Sequence, residues 1–227
     1  MRDWKDIPAF MKNDRVREYY NILKKHEKEL KLKRICDIIL GLVLFVILLP
    51  VMICIGVAVK MDSKGPALFI QTRITTYGKR FKIYKFRTMS AGKRSGSETQ
   101  VTARDDDRIT VIGKKLRKYR LDELPQLWNI IKGDMTFVGT RPEVEKYVRQ
   151  YADEMKATLL IPAGVTSRAS IEYKDEEELL TGVEDVEEVY IRKILPEKMK
   201  YNLEALRHYS FLSDVRTLIQ TVGAVIR

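Results

Sequence analysis

IILGLVLFVILLPVMICIGVAV, residues 38–59, is a run of 22 residues without a charge. As a straight helix rising about 1.5 Å per residue it reaches roughly 33 Å, enough for a bilayer core of about 30 Å. The run starts well inside the chain, exceeds the apolar core of a secretory signal and is followed by no small-residue cleavage site, so it is expected to stay attached. Pro50 stands near its middle, where it removes a backbone donor and clashes with the preceding turn, which predicts a break or sharp kink. Both flanks are basic, Lys31, Lys33 and Arg34 before and Lys60 and Lys64 after, whereas a crossing helix carries asymmetric flanks. Symmetric flanks suit a helix-break-helix over residues 33–60 that enters one leaflet and returns. A kinked crossing helix with a short tail outside is the alternative.

Upstream, DRVREYYNILKKHEKELKLKR places Val16, Tyr19, Tyr20 and Leu23 on one helical face. Residues 1–32 therefore read as a basic amphipathic arm lying on an anionic leaflet, attracted by about 1 kcal/mol per nearby basic residue, or as a solvated helix or partner contact. The net charge of +11 is concentrated in residues 60–141, where 19 Lys and Arg meet 8 Asp and Glu, so any anionic partner is expected there. With 45% apolar and 32% charged residues the chain can bury a core, which excludes wholesale disorder. Its length fits one domain with an appendage. Cys36 and Cys54 both lie in the apolar stretch and make neither a disulfide framework nor a zinc set, which fits a reducing compartment. His26 and His208 are far apart and read as surface or packing residues, so chemistry built on a histidine base is a poor first guess.

Residues 61–227 carry the rest. A turn at Lys64-Gly65-Pro66 leads to two β-prone stretches, Ala67 to Ile74 and Arg80 to Phe86, separated by Thr75 to Lys79, which predicts a hairpin. Residues 90–100 are small, polar and glycine-bearing and read as a mobile loop. From Gly113 two helical pieces hinge near Leu121. Leu124, Leu127, Trp128 and Ile131 form one apolar face, with Asp122 at the N-cap, Pro125 in the first turn and Gly133 at the end. Residues 143–160 and 186–207 look helical, and Phe211 to Ile226 reads as an amphipathic or membrane-touching helix. The expected fold is mainly α with one small β-hairpin, a proline-broken membrane helix and interfacial amphipathic helices.

Asp122 and Glu123 lie inside the basic segment. At a helix start their ionised forms are favoured by about 0.3 to 1 kcal/mol, and an ionised carboxylate among cations can attack phosphorus or bind magnesium. Simple capping is the bland reading of such a pair, and its company argues against it. Gly139-Thr140-Arg141-Pro142 sets Arg141 and Pro142 in a stiff loop suited to a phosphate oxygen, Lys85-Phe86-Arg87 ends the second strand, and Arg117 lies five residues before Asp122. Phosphoryl transfer rests on positioning and charge neutralisation, and this is its inventory.

KRICDIILGLVLFVILLPVMICIGVAVKMDSKGPALFIQTR, YKFRTM and DDRITVIGKKLRKYRLDELPQLWNIIKGDMTFVGTRPE, in that order between Lys33 and Glu143, resemble the bacterial sugar transferases of the monotopic polyprenyl-phosphate phosphoglycosyl transferase type. The resemblance implies a re-entrant helix broken at Pro50, a catalytic domain on the cytoplasmic face of the bacterial inner membrane, and contact with membrane lipids. It implies transfer of a sugar-1-phosphate from a UDP-sugar to polyprenyl (undecaprenyl) phosphate with release of UMP, initiating capsule, exopolysaccharide, O-antigen or another lipid-linked glycan. By matching position, Asp122 would be the nucleophile forming a phosphosugar-aspartyl intermediate, and Glu123 would bind or orient Mg²⁺. Lys85, Arg87, Arg117, Arg141 and Pro142 would line the substrate phosphates. Thr75 departs from the glycine usual after QxRx, Thr140 from the first proline of GPRP, and IPAGVTSRASI from the usual PGITG-type segment, which is expected to touch the sugar. A homo-oligomer is compatible with this reading.

Two rival classes remain. A basic membrane-tethered binding module has the charged segment and Tyr77, Tyr84 and Tyr119 for support, but the sequence carries no nucleic-acid-binding signature, so no nucleic-acid partner is expected. An inactive transferase scaffold is disfavoured by intact Asp122, Glu123, Lys85 and Arg141. One long apolar run argues against a multi-spanning transferase.

Overall fold

The computed structural model describes residues 1–90, 108–180, 183 and 185–226; the loop expected over residues 90–100 lies outside them from residue 91 onward. In chain order the elements are α1 (Asp14–Lys25), α2 (Glu27–Asp62), β1 (Leu68–Ile74), β2 (Arg80–Phe86), α3 (Val111–Lys118), α4 (Gln126–Lys132) and β3 (Met135–Val138). There follow α5 (Glu145–Val148), β4 (Ala163–Thr166), α6 (Arg168–Glu172), α7 (Glu176–Leu179), α8 (Val186–Val189), α9 (Leu195–Arg207) and α10 (Phe211–Ile226).

The side chain of Asn13 accepts the Val16 N–H at 2.9 Å and starts α1. Val16, Tyr19, Tyr20 and Leu23 are buried, as their spacing predicts. Their partner is this chain itself: Ile7 and Met11 before them and Leu159, Leu160, Ile161, Leu206 and Tyr209 far after them form one cluster. The Tyr19 hydroxyl donates to Glu154 at 2.6 Å and accepts from Arg207 at 2.8 Å. The apolar face of the arm is thus turned into the chain's own core. Four large side chains of this helix therefore bury their apolar surface inside the chain.

α2 is one continuous helix of 36 residues with Pro50 inside it. Of the break or sharp kink expected at Pro50, no interruption of the helix is seen; proline deletes one ladder bond, and the flanking turns carry the helix past it. One side of α2 packs along the domain. The Arg34 guanidinium donates to the carbonyls of Ile130 and Ile131 at 2.7 and 3.0 Å, and Leu44, Phe45 and Leu48 join Phe81, Leu127 and Ile130. Met52 and Val59 join Phe86 and Leu116, and Asp62 accepts the Ile112 N–H at 3.0 Å. The other side is bare, with Ile39, Val46 and Ile47 about 60% exposed. Only 11% of the most apolar stretch is buried, so α2 is long and apolar enough to cross a membrane and is not a core helix.

β1 and β2 pair antiparallel from Leu68↔Phe86 to Ile74↔Arg80, the expected hairpin, closed by Gly78 at φ 77. Gly133 ends α4 at φ 91, as expected. The buried face of α4 is centred on Gln126, Leu127 and Ile130, while Trp128 is exposed beside Phe45 of α2. The helix expected over 143–160 reduces to α5 and a 3₁₀ stretch, Met155–Leu160. Ala157 through Ile161 are all buried, and five consecutive inward side chains cannot share one face of an α-helix. A second sheet was not foreseen: β3 and β4 pair in parallel through Met135↔Ala163 and Val138↔Thr166. Residues 186–207 are helical throughout, with one π turn at Tyr190–Ile194, and the tail helix is present as expected.

Candidate functional site

Asp122 and Glu123 sit in a 3₁₀ turn, Leu121–Glu123, between α3 and α4. Arg120 takes a left-handed conformation, φ 54, to turn the chain, and α4 starts only after Pro125. Asp122 is therefore not an N-cap. Pro125 has no N–H to be capped, and its fixed φ already suits the helix start. Both carboxyl groups are buried.

Three segments converge on Glu123. Arg141, from the loop after β3, donates to Oε2 at 3.1 Å and to Oε1 at 2.5 Å in a two-pronged pair. Lys85, one residue before the end of β2, donates to Oε1 at 3.2 Å, and Arg120 Nη1 stands 3.8 Å from the same oxygen. Burial alone would push the Glu123 carboxyl up, but Arg141 and then Lys85 hold it well below the usual carboxylate range. Asp122 goes the other way. Burial first and the Glu123 charge second raise it, against the pull of Lys85, Arg141 and Arg120. Among the described residues its Oδ1 is buried with no hydrogen-bond partner.

Lys85, Asp122, Glu123 and Arg141 are thus brought together, and Arg117 and Pro142 line the same cavity of about 1880 Å³. Arg87 also touches that cavity; one of its guanidinium nitrogens, Nη2, is bonded outside the dyad, while Nε and Nη1 are buried with no hydrogen-bond partner among the described residues. Nη2 donates to the carbonyl of Ser63 at 2.6 Å, the Ser63 hydroxyl at 3.0 Å and the carbonyl of Val59 at 3.3 Å, tying the hairpin to the end of α2. Lys85 lies on β2 and turns to the dyad, whereas Arg87 follows the end of the strand at Phe86 and reaches the end of α2.

Sequence reasoning passed over Arg73, Arg120 and Tyr190. Arg73 pairs with Glu143 at 3.5 Å and donates to the Pro142 carbonyl at 3.3 Å, while Tyr190 donates to Glu143 at 2.6 Å. These bonds fix the segment that carries Arg141. Arg73 and Arg120 were findable from their places in QTR and RLDEL; Tyr190 reaches the site over 47 residues and left no local signal. Thr75, where the resemblance expected glycine, is extended, and its hydroxyl donates to the Asp134 carbonyl at 2.7 Å and accepts the Ala163 N–H at 3.1 Å.

The Arg141 loop depends on two glycines facing each other across β3 and β4. The Gly139 N–H donates to Thr166 at 2.9 Å, and the Gly164 N–H to Thr140 at 2.8 Å. A Cβ on Gly164 would land on the backbone of Gly139. Gly164→Ala is expected to cost about 1 to 3 kcal/mol of stability by overpacking, read as a lowered thermal midpoint in detergent. An unchanged midpoint would contradict this packing.

The described residues contain no cluster of three or more His, Cys, Asp or Glu able to hold a metal. Any divalent cation at the dyad would need ligands from elsewhere. Magnesium is commonly held by one or two carboxylates together with substrate phosphates, and the dyad offers two carboxylates.

Residues 28–227 match the family model described as bacterial sugar transferase. The UDP-glucose:undecaprenyl-phosphate glucose-1-phosphate transferase of Escherichia coli K12 is 34% identical over 195 residues, covering 84% of this chain and 39% of that protein. The Caulobacter vibrioides protein of the same name is 31% identical over 197 residues, 86% of this chain and 69% of the relative. A UDP-N-acetylgalactosamine-undecaprenyl-phosphate N-acetylgalactosaminephosphotransferase of Aeromonas hydrophila is 28% identical over 198 residues, 86% of this chain and 44% of the relative. The chain thus spans less than half the length of two of these relatives.

Proposed function

We propose that this chain, which belongs to the bacterial sugar transferase family, moves a sugar-1-phosphate from a UDP-sugar to a polyprenyl phosphate such as undecaprenyl phosphate and releases UMP. One observation carries the proposal: a buried, unpartnered Asp122 oxygen beside a Glu123 carboxylate ringed by Arg141, Lys85 and Arg120, on the wall of one large cavity. Asp122 attacks the phosphorus that bears the sugar. The bond from that phosphorus to the oxygen of UMP breaks, UMP leaves with the electron pair, and a phosphosugar-aspartyl ester remains. An oxygen of the polyprenyl phosphate then attacks the same phosphorus and expels the Asp122 carboxylate. Splitting the transfer this way replaces one reaction between two poor partners with two easier ones.

Lys85 and Arg141 do the positioning. They hold Glu123 before substrate binds, and a diphosphate entering the cavity offers them the same kind of anionic oxygen. The donor set fits Mg²⁺, because among the described residues Asp122 Oδ1 has no partner and Glu123 keeps lone-pair capacity on Oε2 beyond its bond from Arg141. Glu123, with Asp122 beside it, would hold the ion. Bound there, it would neutralise charge on the donor's phosphates.

We place the protein on the cytoplasmic face of the inner membrane with α2 re-entrant, as the first enzyme of a capsule, exopolysaccharide, O-antigen or similar lipid-linked glycan. Support comes from α1 and residues 159–161, which precede and follow α2 yet share one hydrophobic cluster. A bilayer between them would tear that core apart. In a variant with Cys36 and Cys54 replaced, cysteines at Asp3 and Lys174 are expected to react with impermeant maleimide only in inverted vesicles. Labelling of the Asp3 site from the periplasm of intact cells would reject the topology.

The reaction is tested by UMP release from a panel of UDP-sugars by detergent-solubilised protein with undecaprenyl phosphate and Mg²⁺. Release with a preferred sugar, lost in excess chelator, is expected. No release from any donor by folded protein would favour an inactive scaffold or a binding module.

A further inference from the structure

The cavity that holds the dyad has a second, apolar limb. It is walled by Leu44 and Leu48 of α2, Phe137 of β3, Val165 of β4 and Ala224 and Val225 of α10. All six are only half-buried, so they face an opening rather than a closed core. α10 is fixed over this limb. Lys33 of α2 bonds Asp214 at 2.6 Å and the Val138 carbonyl at 2.9 Å, the Phe211 N–H donates to Glu29 at 2.9 Å, and the hydroxyls of Thr166 and Thr221 meet at 2.8 Å. From the Lys33–Asp214 clamp, eleven residues lead to Leu44 along α2 and eleven to Val225 along α10, about 16 Å of rise in each helix. Both helices leave one clamp and arrive at one cavity, with β3 and β4 as the floor between them. Their outer sides are bare as well: Leu212, Ile219 and Val222 on α10 are more than half exposed, as are Ile39, Val46 and Ile47 on α2.

We infer that the slot between α2 and the last turns of α10 binds the isoprenoid tail of the lipid phosphate acceptor, and that α10 is the element that makes the second half of the reaction selective for a long chain. The inference rests on the transfer reaction proposed above. An amphiphilic phosphate must bring a charged head to Asp122 while keeping a long hydrocarbon out of water. This cavity joins the two requirements, with Lys85 and Arg141 at one end and six apolar side chains at the other, opening between two helices whose outer faces are apolar. The occupant is the acceptor's tail rather than a bulk lipid chain, because the slot is continuous with the reacting carboxylate.

The test separates the two half-reactions in full-length, detergent-solubilised protein. Ala224→Trp fills the slot, whereas Gly223→Ala, whose new Cβ meets nothing within 4 Å, is the control on the same turn. In Ala224→Trp, UMP release in a single turnover without acceptor is expected to match wild type. Transfer to undecaprenyl phosphate should show a KM raised at least about tenfold, and transfer to geranyl phosphate, whose far shorter chain occupies less of the slot, should be affected much less. Gly223→Ala should behave as wild type throughout. Equal loss with both acceptors, or loss of single-turnover UMP release as well, would overturn the inference by showing that α10 acts only on the fold or on the dyad. Unchanged KM for both acceptors would overturn it too, leaving the slot to bulk lipid. Absence of UMP release from wild type under any condition is a different result, and would remove the transfer reaction itself.

Discussion

Asp122→Asn is expected to abolish UMP release, with a loss of at least about a thousandfold in kcat, while the protein stays folded. Removing a nucleophile costs this much because the remaining groups only position and neutralise. Asparagine matches the carboxyl in size and occupies the same 3₁₀ turn, so Lys85 and Arg141 keep Glu123 as partner. The wild-type Oδ1 is buried and bonded to nothing among the described residues, so its replacement breaks no hydrogen bond there. The loss should therefore appear in single-turnover release and not in the thermal midpoint. Retained release at a tenth of wild type or more would remove Asp122 from the nucleophile's role.

Glu123→Gln is the second large effect, for a different reason. The charge that balances Arg141 and Lys85 disappears, and with it the carboxylate assigned to the cation. UMP release is expected to fall about 100- to 1000-fold, the scale of losing one preorganised electrostatic contact. Arg141 and Lys85 are 30% and 21% exposed in their side chains and can rehydrate, so the cost to stability is smaller than for a fully buried pair. The residual activity should carry a pH signature. Asp122 must be ionised to attack, so release rises with pH through its pKa, which burial and then Glu123 hold above that of an ordinary aspartate. Removing the Glu123 charge leaves Lys85, Arg141 and Arg120 facing Asp122, so the acid limb of kcat/KM should move to lower pH. A limb that stays in place or moves up would contradict the coupling drawn between the two carboxyl groups.

The elements legible in the sequence are those whose cause is local. The uncharged run of α2, the two β-prone stretches of the hairpin with Gly78 between them, Gly133 after α4 and the amphipathic tail of α10 each need only neighbouring residues to form. The four inward side chains of α1 were legible for the same reason, but their partner was not. Tyr19 meets Glu154 and Arg207 across 135 and 188 residues, and no pattern near Tyr19 encodes that. β3 and β4 are four residues each, too short for alternation to stand out, and their pairing depends on two glycines whose need is visible only once the strands touch. At the site, the charge inventory pointed to Asp122, Glu123, Lys85 and Arg141 together. It could not distinguish Lys85, bonded to Glu123, from Arg87, whose Nη2 is bonded to Ser63 and Val59. Composition supplies a site's charges, whereas the path of the backbone beyond the end of β2 at Phe86 decides where Arg87 reaches.

The most direct test of the central claim is to trap the intermediate. Protein is mixed with a UDP-sugar labelled at the phosphate that bears the sugar, in the absence of lipid acceptor, quenched in acid and digested for mass spectrometry. A phosphosugar adduct on the peptide containing Asp122, absent in Asp122→Asn and discharged by adding undecaprenyl phosphate, is the predicted result. Turnover to lipid-linked product with no adduct, or an adduct on any other residue, would contradict the account.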